Sequence, residues 1–94
     1  MLRARRRTPL WVSQEGIGYP PETAEDPGFL RWAQVAAVSH DVHDVRGLVY
    51  SHGWTITGTD GERRTVVYPA GASPRPREVR RTIRDLAPAV ELSR

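Results

Sequence analysis

The sequence predicts an α+β domain: a curved antiparallel β-sheet or partial barrel of about five strands, packed by one C-terminal α-helix. Leu48, Tyr50, His52, Trp54 and Ile56 share one parity, the period of a half-buried strand. Asp60-Gly61 follows and marks a tight reversal, so a return strand pairs with the first. Val79, Ile83 and Leu86 then stand at i, i+4 and i+7, one apolar stripe of a helix. The chain has 94 residues, of which 38% are apolar. That suits one small core, since domains commonly run to about 100–150 residues. A basic tail is expected over 1–8 and a single domain over 9–92.

Leu10-Trp11-Val12 reads as a short strand. Gln14-Glu15-Gly16 reads as a turn, with Gly16 free to take positive φ. Ile17-Gly18-Tyr19 resumes the extended pattern until Pro20-Pro21, which lack the N–H a ladder needs. Residues 20–28 are rich in Pro, Glu and Asp and read as a surface loop.

Two readings compete over 29–45. For a helix, Asp26 stands at the cap and Pro27 at the first helical position. Trp32, Val35, Val38 or Ser39, Val42 and Val45 fall near one helical face, and Gly47 offers a stop. For a strand, the β-branched content is high and strong helix formers are few. The strand is preferred, from about Gln34 to His40 and then a polar turn.

Gly53 interrupts the next strand and marks a bulge or bend. A two-residue type I′ loop at Asp60-Gly61 sets Thr59 opposite Glu62, Ile56 opposite Thr65 and Trp54 opposite Val67. Trp54, Ile56 and Val67 then share the core face, and Pro69 closes the return strand. A helix is expected from about Arg75 to Ala87, stopped by Pro88. Arg77, Arg81 and Arg84 lie opposite its apolar stripe. Glu78 reaches Arg81, and Arg81 reaches Asp85, pairs worth about 0.2–0.5 kcal/mol each. Val90 and Leu92 tuck back onto the core.

The net charge is +3, and every basic residue is Arg. The charge is not evenly spread. Residues 1–14 carry Arg3, Arg5, Arg6 and Arg7; residues 15–62 carry eight acids against Arg31 and Arg46; residues 63–94 carry eight Arg against Glu78, Asp85 and Glu91. An acidic middle between basic ends favours self-association or steering over uniform coating of a polyanion.

No cysteine is present, which excludes a disulfide scaffold, a Cys-type zinc site and a thiol nucleophile. No apolar run approaches the roughly 20 residues of a membrane span, and no signal-peptide stretch opens the chain. A cytoplasmic location is expected. His40 and His43 invite a metal-site reading, but on a strand positions three apart point to opposite faces. They read instead as polar surface histidines. Ser39-His40-Asp41 has the letters of a hydrolase triad, yet sequence neighbours cannot converge in the required order. Gly16-x-Gly18 leads into Tyr-Pro-Pro rather than a helix, so a dinucleotide loop fails. No enzyme activity, cofactor or small-molecule substrate is expected.

The order of signals resembles a small bacterial pleckstrin-homology-like (PH-like) domain. Val12-Ser13-Gln14-Glu15-Gly16-Ile17 is similar to the first hairpin of that family. Arg31-Trp32-Ala33-Gln34-Val35-Ala36-Ala37-Val38 resembles the segment where a Trp leads into the next strand. Trp54 to Val67 resembles the following hairpin, and Val79, Ile83 and Leu86 its closing helix. The chain departs from the full seven-stranded pattern, and Ser39 to Arg46 looks like an insertion. The family shares no catalytic residues. The resemblance implies a binding or scaffolding module, with the ligand unspecified. The unfinished sheet and the opposite-sign charge blocks put a protein partner or a second copy of the chain first in line. The alternative is a nucleic-acid-associated protein, or a peripheral binder of anionic membrane, using Arg5, Arg6 and Arg7 with Arg77, Arg81 and Arg84. Those six arginines are the candidate partner- or anion-binding residues.

Overall fold

A computed structural model describes residues 9–21 and 23–93. The fold is α+β, with two sheets, one α-helix and no closed barrel among the described residues. Strands β1 (Trp11–Val12), β2 (Gly16–Gly18) and β3 (Phe29–Arg31) form a three-stranded antiparallel sheet in that order. A 3-10 turn over Trp32–Gln34 leads into β4 (Val35–Val45). β4 continues through β5 (Leu48–Gly58), β6 (Arg63–Pro69), helix α1 (Pro76–Leu86) and β7 (Glu91–Ser93). The second sheet has the order β6-β5-β4-β7, with β7 parallel to β4. The single sheet of about five strands is thus corrected: the described residues form seven strands in two sheets, of three and four strands. The proline-rich loop, unable to join a ladder, separates β2 from β3.

Local chemistry explains the first sheet. Ser13 closes the β1–β2 turn, its N–H donating to the Gly16 carbonyl at 2.9 Å. Gly16 is not in the left-handed region expected of it. It is needed because a Cβ there would run into the Leu30 carbonyl of β3. The Trp32 indole donates to the Ser13 carbonyl at 2.9 Å and locks the 3-10 turn onto this sheet. Asp26 caps no helix. Its carboxylate accepts from the Tyr19 phenol at 2.8 Å and from the Gly28 N–H at 2.9 Å, which folds the loop back on itself.

Residues 35–45 form a strand, as the β-branched content indicated, and it runs past the polar turn expected after His40. The reversal falls at Arg46-Gly47, both with positive φ (55° and 84°), the requirement of a two-residue hairpin turn. Gly53 carries no bulge: it pairs in unbroken register with Asp41 on one side and Val67 on the other. The pairing shifts register between Val35 and Ala37, and again where His43 pairs with Ser51 but Asp44 pairs with Val49, leaving Tyr50 as the extra residue.

The β5–β6 register differs by one residue from the expected one. Gly58 donates to the Glu62 carbonyl at 2.8 Å, so the loop holds three residues, Thr59 to Gly61. Only Gly61 takes positive φ, at 88°. The Asp60 carboxylate accepts from the Glu62 N–H at 3.0 Å and makes the longer loop favourable. One extra residue turns every β6 side chain to the other face. Trp54 therefore faces Val66, which is buried, while Val67 is 54% exposed on the outer face.

Val38, Trp54, Ile56, Val66 and Tyr68 from the second sheet meet Ile17 and Leu30 from the first and the flanking Leu10 and Tyr19, and α1 covers them with Val79 and Ile83. Burying a side chain of this size stabilises by about 1.5–3 kcal/mol. Leu86, expected on the same stripe, is partly exposed. Val90 is buried and Leu92 packs at the margin, as expected. Among the described residues no helix is long and apolar enough to cross a membrane.

Candidate functional site

The inner face of β4 carries Val38, His40 and Val42, and that of β5 carries His52, Trp54 and Ile56. The register sets His40 opposite Trp54 and Val42 opposite His52. The two imidazoles meet on the diagonal: His40 Nε2 lies 3.2 Å from His52 Nδ1, the donor being set by the tautomer. His40 is only 5% exposed, which corrects the expectation of a surface histidine; His43, on the outer face, is exposed. The His40 ring lies against the Trp54 indole, with centroids 4.6 Å apart. On its other flank, the His52 ring sits 5.8 Å from the Tyr68 ring. The indole of Trp54 and the ring of Tyr68 thus hold the pair from both sides.

Helix α1 lies over this row. Pro76 opens it, and Glu78 in its first turn and Arg84 in its last suit the helix dipole. At about 100° per residue, Arg77, Arg80, Arg81 and Arg84 fall on one flank of the helix. Glu78 and Thr82 fall on the other flank, toward Leu10 and Trp11. The arginine flank and the histidine pair enclose an open cleft of about 570 Å³, with Val42 and Pro76 completing its wall. Arg77, Arg81 and Arg84 are exposed and Arg80 is half-buried. The pairs expected between Arg81 and Glu78 or Asp85 are absent. Among the described residues, the ion pairs within 4.0 Å involve only Arg64, with Asp26 and Glu62. Among the described residues, no carboxylate lies within 4.0 Å of these guanidiniums.

The structure thus gathers Arg77, Arg81 and Arg84 at one site. Arg5, Arg6 and Arg7 lie outside the described residues. Arg80, His40 and His52 were missed by sequence reasoning. His52 shared the parity of Trp54 and Ile56, which placed it on the inner face. His40 shares the parity of Val38, a usable signal once the strand is extended past residue 40.

A second surface feature lies at the far end of the same strands. β6 pairs with β5 as far as Ser51, the following Ala70 N–H still donating to the Tyr50 carbonyl at 2.8 Å, and β7 pairs with β4 only over Ala37 to Ser39. Beyond these points β4 and β5 continue as a two-stranded arm. Its residues Val45, Leu48, Val49 and Tyr50 are all exposed, Leu48 at 64%. Comparison with protein-family models, with curated proteins and with solved structures finds no match to this chain.

Proposed function

We propose that the chain is a non-enzymatic interaction module that associates with a second copy of itself through the β4–β5 arm. The observation that carries this reading is four exposed apolar side chains, Val45, Leu48, Val49 and Tyr50, on a ribbon that outruns its neighbours, with Val45 and Leu48 a cross-strand pair. Large apolar side chains grouped at one projection mark an interaction site rather than scattered surface residues. A second copy is favoured over a foreign protein by the charge layout: residues 15–62 are net acidic and 63–94 net basic, so two copies offer complementary blocks. The PH-like resemblance fits the same role. Its closing helix has a counterpart in α1, although here one further strand follows. A curved sheet belongs to this reading, supported by two irregularities in the β4–β5 pairing, since bulges bend strands.

The test is sedimentation velocity over a wide concentration range. A dimer that Leu48→Asp and Tyr50→Asp dissociate, with circular dichroism unchanged, is the expected result. A monomer at every concentration overturns the self-association reading. A monomer that binds another protein through the same two residues moves the arm to a foreign partner.

A further inference from the structure

We infer that the cleft between the His40–His52 pair and α1 binds the dianionic phosphate of a small phosphate monoester. Four arginines line it from one helix flank, and among the described residues none is paired with a carboxylate. Guanidinium forks match phosphate oxygens, and charge-assisted bonds to them are the strong kind. The opposite wall supplies the imidazole of His52, backed by buried His40. The space, about 570 Å³, suits a small molecule, where ligand clefts hold roughly 300–1,000 Å³. Extended polyanions are served less well. No Trp, Tyr or Phe is among the described residues lining the cleft, so it offers no stacking platform to single-stranded nucleic acid.

The histidine pair adds a hydrogen-bond donor. The Nε2–Nδ1 contact accommodates one N–H between the rings, since two would set donor against donor. When His52 Nδ1 accepts from His40, or when His52 is cationic, its Nε2 carries a hydrogen that can be donated to an anion. The charged and titratable groups facing the pair are Arg77, Arg80, Arg81 and Arg84 from α1 and the Tyr68 phenol from β6. The phenol is engaged with Trp54 and the Pro74 carbonyl. An anion bound here meets those guanidiniums and the His52 imidazole together.

The test uses the full chain, with calorimetry and imidazole NMR signals recorded during titration with glycerol phosphate, inorganic phosphate and sulfate. Saturable one-to-one binding of the monoester is expected, with the His40 and His52 signals moving together. Arg81→Gln and Arg84→Gln, both at exposed positions, each weaken binding about tenfold. Arg63→Gln, on the outer face of β6, leaves it unchanged. The monoester loses its second charge near pH 6, so its binding weakens below that pH. His52→Gln weakens monoester binding while arginine-dependent binding remains. Equal losses from Arg63→Gln and Arg81→Gln overturn the inference. So does binding only to phosphatidic acid vesicles, to an oligonucleotide or to a phosphopeptide, with none to the monoester. Leu48→Asp leaves the titration unchanged, so the cleft stands or falls separately from the arm.

Discussion

The indole of Trp54 donates a hydrogen bond to the phenol oxygen of Tyr68 at 2.9 Å, and both residues are buried. The phenol donates onward to the Pro74 carbonyl at 2.6 Å. This chain of two bonds joins β5, β6 and the loop that delivers α1. It satisfies the indole N–H inside the core, where an unmatched donor is costly. It also fixes where the arginine flank begins relative to the histidines.

Tyr68→Phe removes the shared hydroxyl and leaves the Trp54 N–H without its acceptor. The expected loss is about 1–3 kcal/mol of unfolding free energy, read by urea denaturation with tryptophan fluorescence. A Tyr68→Phe protein as stable as the parent would show that the hydroxyl contributes nothing to this junction.

Tyr19 ties the two sheets together by a different route. Its phenol bonds to Asp26, and Arg64 of β6 approaches its ring at 5.9 Å while pairing with Asp26 at 4.0 Å. Burial and then the Asp26 hydrogen bond push the phenol up to about 12, with Arg64 pulling the other way. In the unfolded chain a tyrosine ionises near pH 10. Between about 10 and 12 the unfolded state releases the proton first, so stability falls as pH rises. Burial raises the Tyr68 phenol in the same direction. Tyr19→Phe is therefore expected to shrink this alkaline loss without abolishing it. Denaturant midpoints across the alkaline range, with tyrosinate absorbance of the native protein, measure both parts.

The glycines separate close approach from simple flexibility. A Cβ at Gly16 meets the backbone of Leu30, which cannot swing aside. Gly16→Ala is expected to cost about 1–3 kcal/mol or more, as overpacking does. At Gly53 a Cβ would lie 3.9 Å from Asp41 and Val67, an ordinary contact. Gly53→Ala is expected to stabilise by about 0.4–1 kcal/mol through the unfolded chain. Thermal melts of the two variants should move in opposite directions.

Much of this was legible in the sequence because it rests on local chemistry. Pro76, the Val79–Ile83 spacing and Pro88 delimit α1 without help from the rest of the chain. Trp54 and Ile56 identify the inner face of β5. Legibility ended where one residue decides parity. The sequence Thr-Asp-Gly-Glu serves either a two- or a three-residue loop, and the Asp60 side chain selects the longer one. That choice exchanged Val66 for Val67. The site was half legible for a related reason. The arginines follow helical spacing, but His40 and His52 meet only through a long-range register that Tyr50, as an extra residue, also shapes.

The apolar stripe of α1 supplies the last expected outcome. By spacing alone Val79, Ile83 and Leu86 are equivalent, yet Ile83 is fully buried and Leu86 is 36% exposed. The helix ends at Leu86, with the Ala87 N–H bonded to the Ile83 carbonyl at 2.7 Å, and no further turn covers that side chain. Ile83→Ala opens a cavity among core side chains that cannot close fully, at about 2–5 kcal/mol. Leu86→Ala removes atoms already partly in water and is expected to cost less than about 1 kcal/mol. Urea midpoints of the two variants give the comparison directly. Equal losses would mean that α1 sits rotated on the sheet, which would also carry Arg80 and Arg84 away from the histidine pair.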